Sequence, residues 1–150
     1  MDLKTEISFC LLFHKTEKLM NDFFNQQLTE LGLLLRSEHW HIIATLFNRG
    51  KLTQQEIADL HDKDKTNMTR IVDFLERNKW VKRLSCKTDR RNKFVKLTEE
   101  GKNLYINNEG KIKTAVISTI EKHFTMEEIV LLHSGISKLY EKLFEIIKEN

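Results

Sequence analysis

Residues 65 to 70 read Lys65, Thr66, Asn67, Met68, Thr69 and Arg70, five polar or basic side chains around one apolar one. Arginine can pair bidentately with guanine and asparagine with adenine, whereas threonine hydroxyls hold phosphates or meet a thymine methyl. On the outer face of a helix, Asn67 and Arg70 are the candidate base readers, with Lys65, Thr66 and Thr69 beside them. Farther along, "SCKTDRRNKF" at 85–94 gathers Lys87, Arg90, Arg91 and Lys93 around a single acid, Asp89. A carboxylate there can orient Arg91 and leave Arg90 pointing outward, or the reverse, and an exposed pair of this kind sets geometry more than stability.

These groups share one basic stretch. Residues 63–96 hold twelve Lys or Arg against four Asp or Glu, a local charge of +8, while the whole chain carries only +3. Such local basicity points to a polyanion partner rather than to general solubility. No phosphate-cradling glycine loop, HExxH or GxSxG is present, so the motifs give catalysis no support, and no cofactor is expected.

The elements that must position these groups are mostly helices. There are 150 residues, no proline and five glycines, with abundant Leu, Lys, Glu and Ile. From Leu3 to Leu31 apolar residues recur at spacings of three, four and seven, which predicts a long amphipathic helix ending near Gly32. Ser37 is the expected N-cap of a second helix carrying Trp40, Ile43, Ala44, Leu46 and Phe47. In "LTQQEIADLH", Thr53 and Glu56 have capping-box spacing, with Leu52 and Ile57 as a hydrophobic staple. An Asp64 cap then opens a fourth helix that buries Met68, Ile71, Val72 and Leu75. Two short helices joined by about four residues read as a helix-turn-helix.

"WVKRLS" and "KFVKLT" alternate as strands around a seven-residue loop, so the basic tip sits on a two-stranded arm. Beside a recognition helix, that arm could reach the neighbouring minor groove or the phosphates. Thr98 opens a helix running to about His123. Thr125 and Glu128 form a second capping box, stapled by Phe124 and Ile129. Ile129, Leu132, Ile136, Leu139, Leu143 and Ile146 then alternate spacings of three and four, a coiled-coil seam, with Tyr140, Phe144 and Ile147 beside it. So much apolar surface calls for pairing with the first helix and with a second subunit.

"LTQQEIADL", "DKTNMTRIVDFLERNKWVKR" and "TDRRNKFVKLTEEGK" together resemble the MarR family of winged-helix transcriptional regulators, whose wing reads Asp-Arg-Arg, a strand, then LTxxG. The core of the resemblance covers about residues 35 to 105. It implies a mainly α fold with a small two-stranded β-wing, a winged helix-turn-helix flanked by N- and C-terminal dimerisation helices. The corresponding regions are 1–34, 35–100 and 101–150, within one compact domain. By position, recognition belongs to residues 65–70 and the wing to Lys87, Asp89, Arg90, Arg91 and Lys93.

Dimerisation on this reading falls to Leu3, Ile7 and Leu11 together with the seam residues. The implied function is a sequence-specific regulator of double-stranded DNA, a repressor that binds a palindromic operator as a homodimer. An architectural or protein-docking winged helix without operator specificity is the alternative. Two positions depart from the family pattern: Lys63 stands where an apolar residue is usual, and Lys79 where glycine is common before the first wing strand.

Many members of that family release DNA when a small molecule enters a cleft beside the dimerisation helices, and Phe9, Phe13, His14, Trp40 and Phe47 could line such an effector pocket. Aromatic residues at this spacing also serve as ordinary core. Cys10 is expected to be a buried structural cysteine, and Cys86, near the basic wing, is the more plausible thiolate on electrostatic grounds. His39 and His41 are two apart on a helix and face different ways, which argues against a metal site. No apolar run approaches membrane-spanning length, the N-terminus "MDLKTEISFCLLF" lacks a cleavage-site pattern, and a cytoplasmic location is expected.

Overall fold

The computed structural model describes residues 3–85 and 93–149, and side chains over 8–84 and 93–149. Six helices and three short strands follow one another: α1 (Leu3–Glu30), α2 (Ser37–Arg49), β1 (Leu52–Thr53), α3 (Gln54–Leu60), α4 (Lys65–Arg77), β2 (Val81–Ser85), β3 (Lys93–Leu97), α5 (Glu99–Glu121) and α6 (Met126–Glu149). The chain divides into two compact units, Met1–Lys113 and Thr114–Asn150.

In the first unit, the core joins α2, α3, α4 and the sheet through Ile42, Ile43, Leu46, Ile57, Met68, Ile71, Val72, Leu75, Val81, Val95 and Leu97. The four α4 residues expected inward are all buried. Their spacing puts them on one stripe, and that stripe docks on the sheet.

The sheet has three strands, in the order β1-β3-β2 and antiparallel throughout. The third strand, β1, is only Leu52 and Thr53, paired with Val95 and Phe94, and so is too short to show any alternation in sequence. Between β2 and β3 the register sets Val81 against Leu97, Lys82 against Lys96 and Arg83 against Val95.

Helix starts follow the sequence closely at α3 and α4. Thr53 Oγ1 accepts the N–H of Glu56 at 3.1 Å, and Glu56 Oε2 accepts the Thr53 N–H at 2.6 Å. The Thr53 N–H foremost, and then the Thr53 hydroxyl that donates to the same Oε2, hold the Glu56 carboxyl below the usual carboxylate range. Asp64 Oδ1 accepts the Asn67 N–H at 2.8 Å. The start of α2 differs from expectation: Arg36 is the N-cap, and its N–H is satisfied by Nδ1 of His39 at 3.0 Å. Ser37 is instead a buried first-turn residue whose N–H reaches Asn25 Oδ1 of α1, a long-range bond that local spacing does not announce.

Both departures from the family pattern occur at helix ends. At the close of α4, Lys79 N–H reaches Glu76 O and Trp80 N–H reaches Leu75 O, a Schellman motif with Lys79 at φ 63°. A lysine here takes the left-handed conformation that glycine adopts without cost. At the close of α3, Asp62 has φ 48° and the Lys63 N–H bonds to Ala58 O at 3.0 Å, so the turn of the helix-turn-helix is firmly closed.

The LTxxG glycine has a steric role. A Cβ on Gly101 would run into the carbonyl oxygen of Trp80, the same oxygen that accepts the Thr98 N–H. The first turn of α5 is thereby pressed against the start of β2, with Thr98 Oγ1 accepting the Gly101 N–H.

In the second unit, Thr125 and Glu128 make the expected capping box at α6. No described residue of α6 is buried, and Leu132, Ile136, Leu143 and Ile146 are each about half exposed, at 53, 53, 49 and 53 %. Among the described residues no helix is long and apolar enough to cross a membrane.

Candidate nucleic-acid interface

Helix α4 is fixed along its flank by polar contacts that the sequence did not reveal. Arg83 of β2 bonds Asp73 Oδ1 at 2.7 Å and Glu76 Oε2 at 2.5 Å, and its N–H reaches Glu76 Oε1 at 3.0 Å. One guanidinium thus ties the wing strand to two carboxylates of α4, a geometry arginine supplies better than lysine. Gln54 of α3 accepts from Arg83 at 3.4 Å and donates to Thr69 Oγ1 at 2.7 Å. Arg83 has ordinary strand spacing, so only the sheet register distinguishes it from the other basic residues nearby.

Residues 65–70 therefore differ in how far the fold engages them. Thr69 donates to Lys65 O at 2.8 Å while accepting from Gln54, so its hydroxyl is engaged within the fold. Lys65, Thr66 and Arg70 are exposed, and Asn67 and Thr69 are half-buried. Asn67 and Arg70 open into a groove of about 840 Å³ between α4 and the start of α2, beside Arg36, His39 and Arg77 and the carboxylates Glu38, Asp73 and Glu76. Lys65 faces the other way, into a cleft of about 260 Å³ shared with Thr53, Gln54, Gln55 and Lys93 of the wing, which no carboxylate among the described residues lines. Lys87, Asp89, Arg90 and Arg91, and with them Cys86, lie outside the described residues.

His39 joins the two helices of the groove. It is 8 % exposed and stacks on Phe74 of α4 with ring centroids 4.0 Å apart. Burial lowers its pKa, as does Arg36, against an opposing pull from Glu38. His41 turns the other way and stacks on Phe24 of α1, and His61 shares a 2.9 Å hydrogen bond with Thr45. Among the described residues no group of three His, Cys, Asp or Glu could hold a metal ion.

The aromatic residues expected around an effector fall into two sets. Trp40 is buried, and both Trp40 and Phe47 pack on Tyr105, with centroids 5.2 and 4.4 Å away. Phe9 and Phe13 pair with each other on α1, exposed together with His14. Cys10 is exposed rather than buried, because α1 turns that face away from the core of its unit. Leu11 on the same helix is 50 % exposed, and the side chains of Leu3 and Ile7 lie outside those described.

The MarR family model matches residues 35–93, which runs from the residue before the α2 N-cap to the first residue of β3. Over this region the chain is similar to the MarR family. Curated proteins are similar as well: the chain is 35 % identical over 89 residues to the HTH-type transcriptional regulator PrsX of Escherichia coli. That match covers 58 % of this chain and 52 % of PrsX, so the chain spans about half the length of that relative. The HTH-type transcriptional regulator PapX of the same organism is 44 % identical over 50 residues, 33 % of this chain and 30 % of PapX.

Among solved structures, a mutant MarR from E. coli complexed with operator DNA superposes with a TM-score of 0.80 at 23 % identity, covering 93 % of this chain and 99 % of that one. A MarR family transcriptional regulator from Streptomyces coelicolor in complex with DNA gives 0.79 at 22 %, covering 95 % and 90 %. At these identities the likeness is one of fold, and it extends over the helices outside the MarR region.

Proposed function

We propose that the chain is a sequence-specific, double-stranded-DNA-binding transcriptional regulator, a cytoplasmic repressor that binds a palindromic operator as a homodimer and is released by a small-molecule or other signal. The observation that carries this reading is the arrangement around α4. A short helix is held along its flank by Arg83 and Gln54 and presents Lys65, Thr66 and Arg70 to solvent, with a cleft that no described carboxylate lines joining it to Lys93 of the wing. A recognition helix needs this combination of fixed orientation and exposed donors.

On this reading Asn67 and Arg70 read bases and Lys65, Thr66 and Lys93 hold phosphates, with Lys87, Arg90 and Arg91 extending the wing contact and Asp89 orienting it. Thr69 acts through Gln54 as a positioning residue. Helix α6 supplies the pairing surface, since Ile129, Leu132, Ile136, Leu139, Leu143 and Ile146 form a seam that its own unit leaves without a buried position. The names of the curated relatives support the regulatory class.

Binding of a selected duplex tests the assignment. Arg70→Ala or Asn67→Ala should each cost about 1–3 kcal/mol and relax preference at one base position. Lys93→Gln should weaken all sequences alike and lower the salt slope by roughly one unit. Unchanged affinity and preference in Arg70→Ala would place the recognition face elsewhere.

A further inference from the structure

The wing sheet carries a second cationic cluster that the recognition reading does not use. The strand register sets Lys82 directly against Lys96. Like charges opposed across a β-ladder repel each other, and an edge-strand lysine such as Lys82 has a solubility role that Lys96, on the central strand, does not share. The two lysines line a cavity of about 300 Å³ with Lys51 from the α2–β1 connection and Lys102 from α5. Its only acid among the described residues is Glu99, which is already bonded to Lys102 at 2.8 Å. Its apolar wall is Leu46, Phe47 and Leu97. Lys51 is further held over the ring of Phe94, 5.1 Å from the centroid.

Four ammonium groups converge here from three separate parts of the fold, and one carboxylate answers them. The mutual repulsion is relieved by a bound counter-charge, and a compact ligand with several negative oxygens meets more of the lysines than a single chloride can. The volume is at the lower end of that of small-ligand clefts, which suits a small, highly charged molecule. We propose that this cavity is a binding site for a small multivalent anion, a phosphoryl compound or a di- or tricarboxylate, separate from the face formed by Asn67, Arg70 and the Lys65–Lys93 cleft. Because the site bridges the end of α2, the wing strands and the start of α5, its occupancy would stiffen the wing against the helices that carry it.

Calorimetric titration of the full chain with pyrophosphate, and separately with citrate, at fixed ionic strength tests this. One site per chain is expected, with Lys82→Gln and Lys96→Gln each weakening binding about tenfold, the loss of one charge-assisted contact. Lys138→Gln, which removes the same charge from α6, should leave the titration unchanged. Pyrophosphate binding without citrate binding narrows the ligand to phosphoryl compounds, and the opposite result narrows it to carboxylates. Equal weakening by all three variants would reduce the effect to general screening and overturn the proposal. So would the absence of any saturable site for either anion, and if Lys96→Gln then weakened duplex binding, the cluster would belong to the DNA footprint instead.

Discussion

The winged region and α6 meet the same demand, burial of apolar surface, in opposite ways. Helix α4 places Met68, Ile71, Val72 and Leu75 inside a core shared with α2, α3 and the sheet, and none of the four is more than 3 % exposed. Helix α6 carries a longer apolar series and buries none of it. Amphipathic spacing reads alike in both helices, so periodicity marks the face to be covered without saying what covers it. The first region is complete as one chain. The second has the composition of half an interface, with aromatic Tyr140 and Phe144 stacked 6.0 Å apart beside the seam.

The largest effect separating these regions should come from one deletion made in each. Leu75→Ala removes a fully buried side chain and should cost about 2–5 kcal/mol in denaturant unfolding. Leu143→Ala, in a side chain already half exposed, should leave the winged region's unfolding unchanged and appear as weaker self-association in sedimentation. A comparable loss of winged-region stability from both would erase the distinction. Next in size, Gly101→Ala forces a methyl against the Trp80 carbonyl and should cost roughly 1–3 kcal/mol, read by the same unfolding curve.

Acid should weaken the winged region by way of its histidines. The folded-state pKa of His39 is lowered, chiefly by burial, so the unfolded chain binds the proton more readily. Its contribution is therefore full above the ordinary value of about 6.5 and is lost as pH falls from there through the lowered folded value. Protonation at Nδ1 also removes the acceptor for the Arg36 N–H. His41 and His61 are shifted in the same direction, burial leading in both, so His39→Gln should flatten the fall in urea midpoint between pH 7 and 5 without abolishing it. A profile identical to that of the parent would remove His39 from the account. The smallest effect is a gain: Lys79→Gly should stabilise by roughly 1 kcal/mol, because glycine takes the positive φ without strain.

Much of the fold was legible because its signals are local. The capping boxes at Thr53 and Thr125, the Asp64 cap and the α4 stripe each depend on spacings of three or four residues, and each stands where the spacing put it. What escaped was set by tertiary partners. Ser37 lost its capping role to a bond with Asn25, twelve residues away, and Arg83 acquired two carboxylates only once the register of β2 was fixed. The two-residue β1, paired with β3, falls in the same class. For the site, residue types on α4 were readable, but the Thr69 hydroxyl was engaged by a contact from another helix, and the Lys82–Lys96 opposition needed a cross-strand pairing that composition cannot supply.

The central claim is that one fixed helix and its wing read DNA as part of a symmetric pair. Selection of bound duplexes from a random pool at two salt concentrations, with the reduced full chain, tests it most directly. The account predicts recovery of a palindrome whose two half-sites persist at the higher salt while overall affinity falls. Binding that is salt-sensitive but indifferent to sequence would contradict it and point to an architectural role.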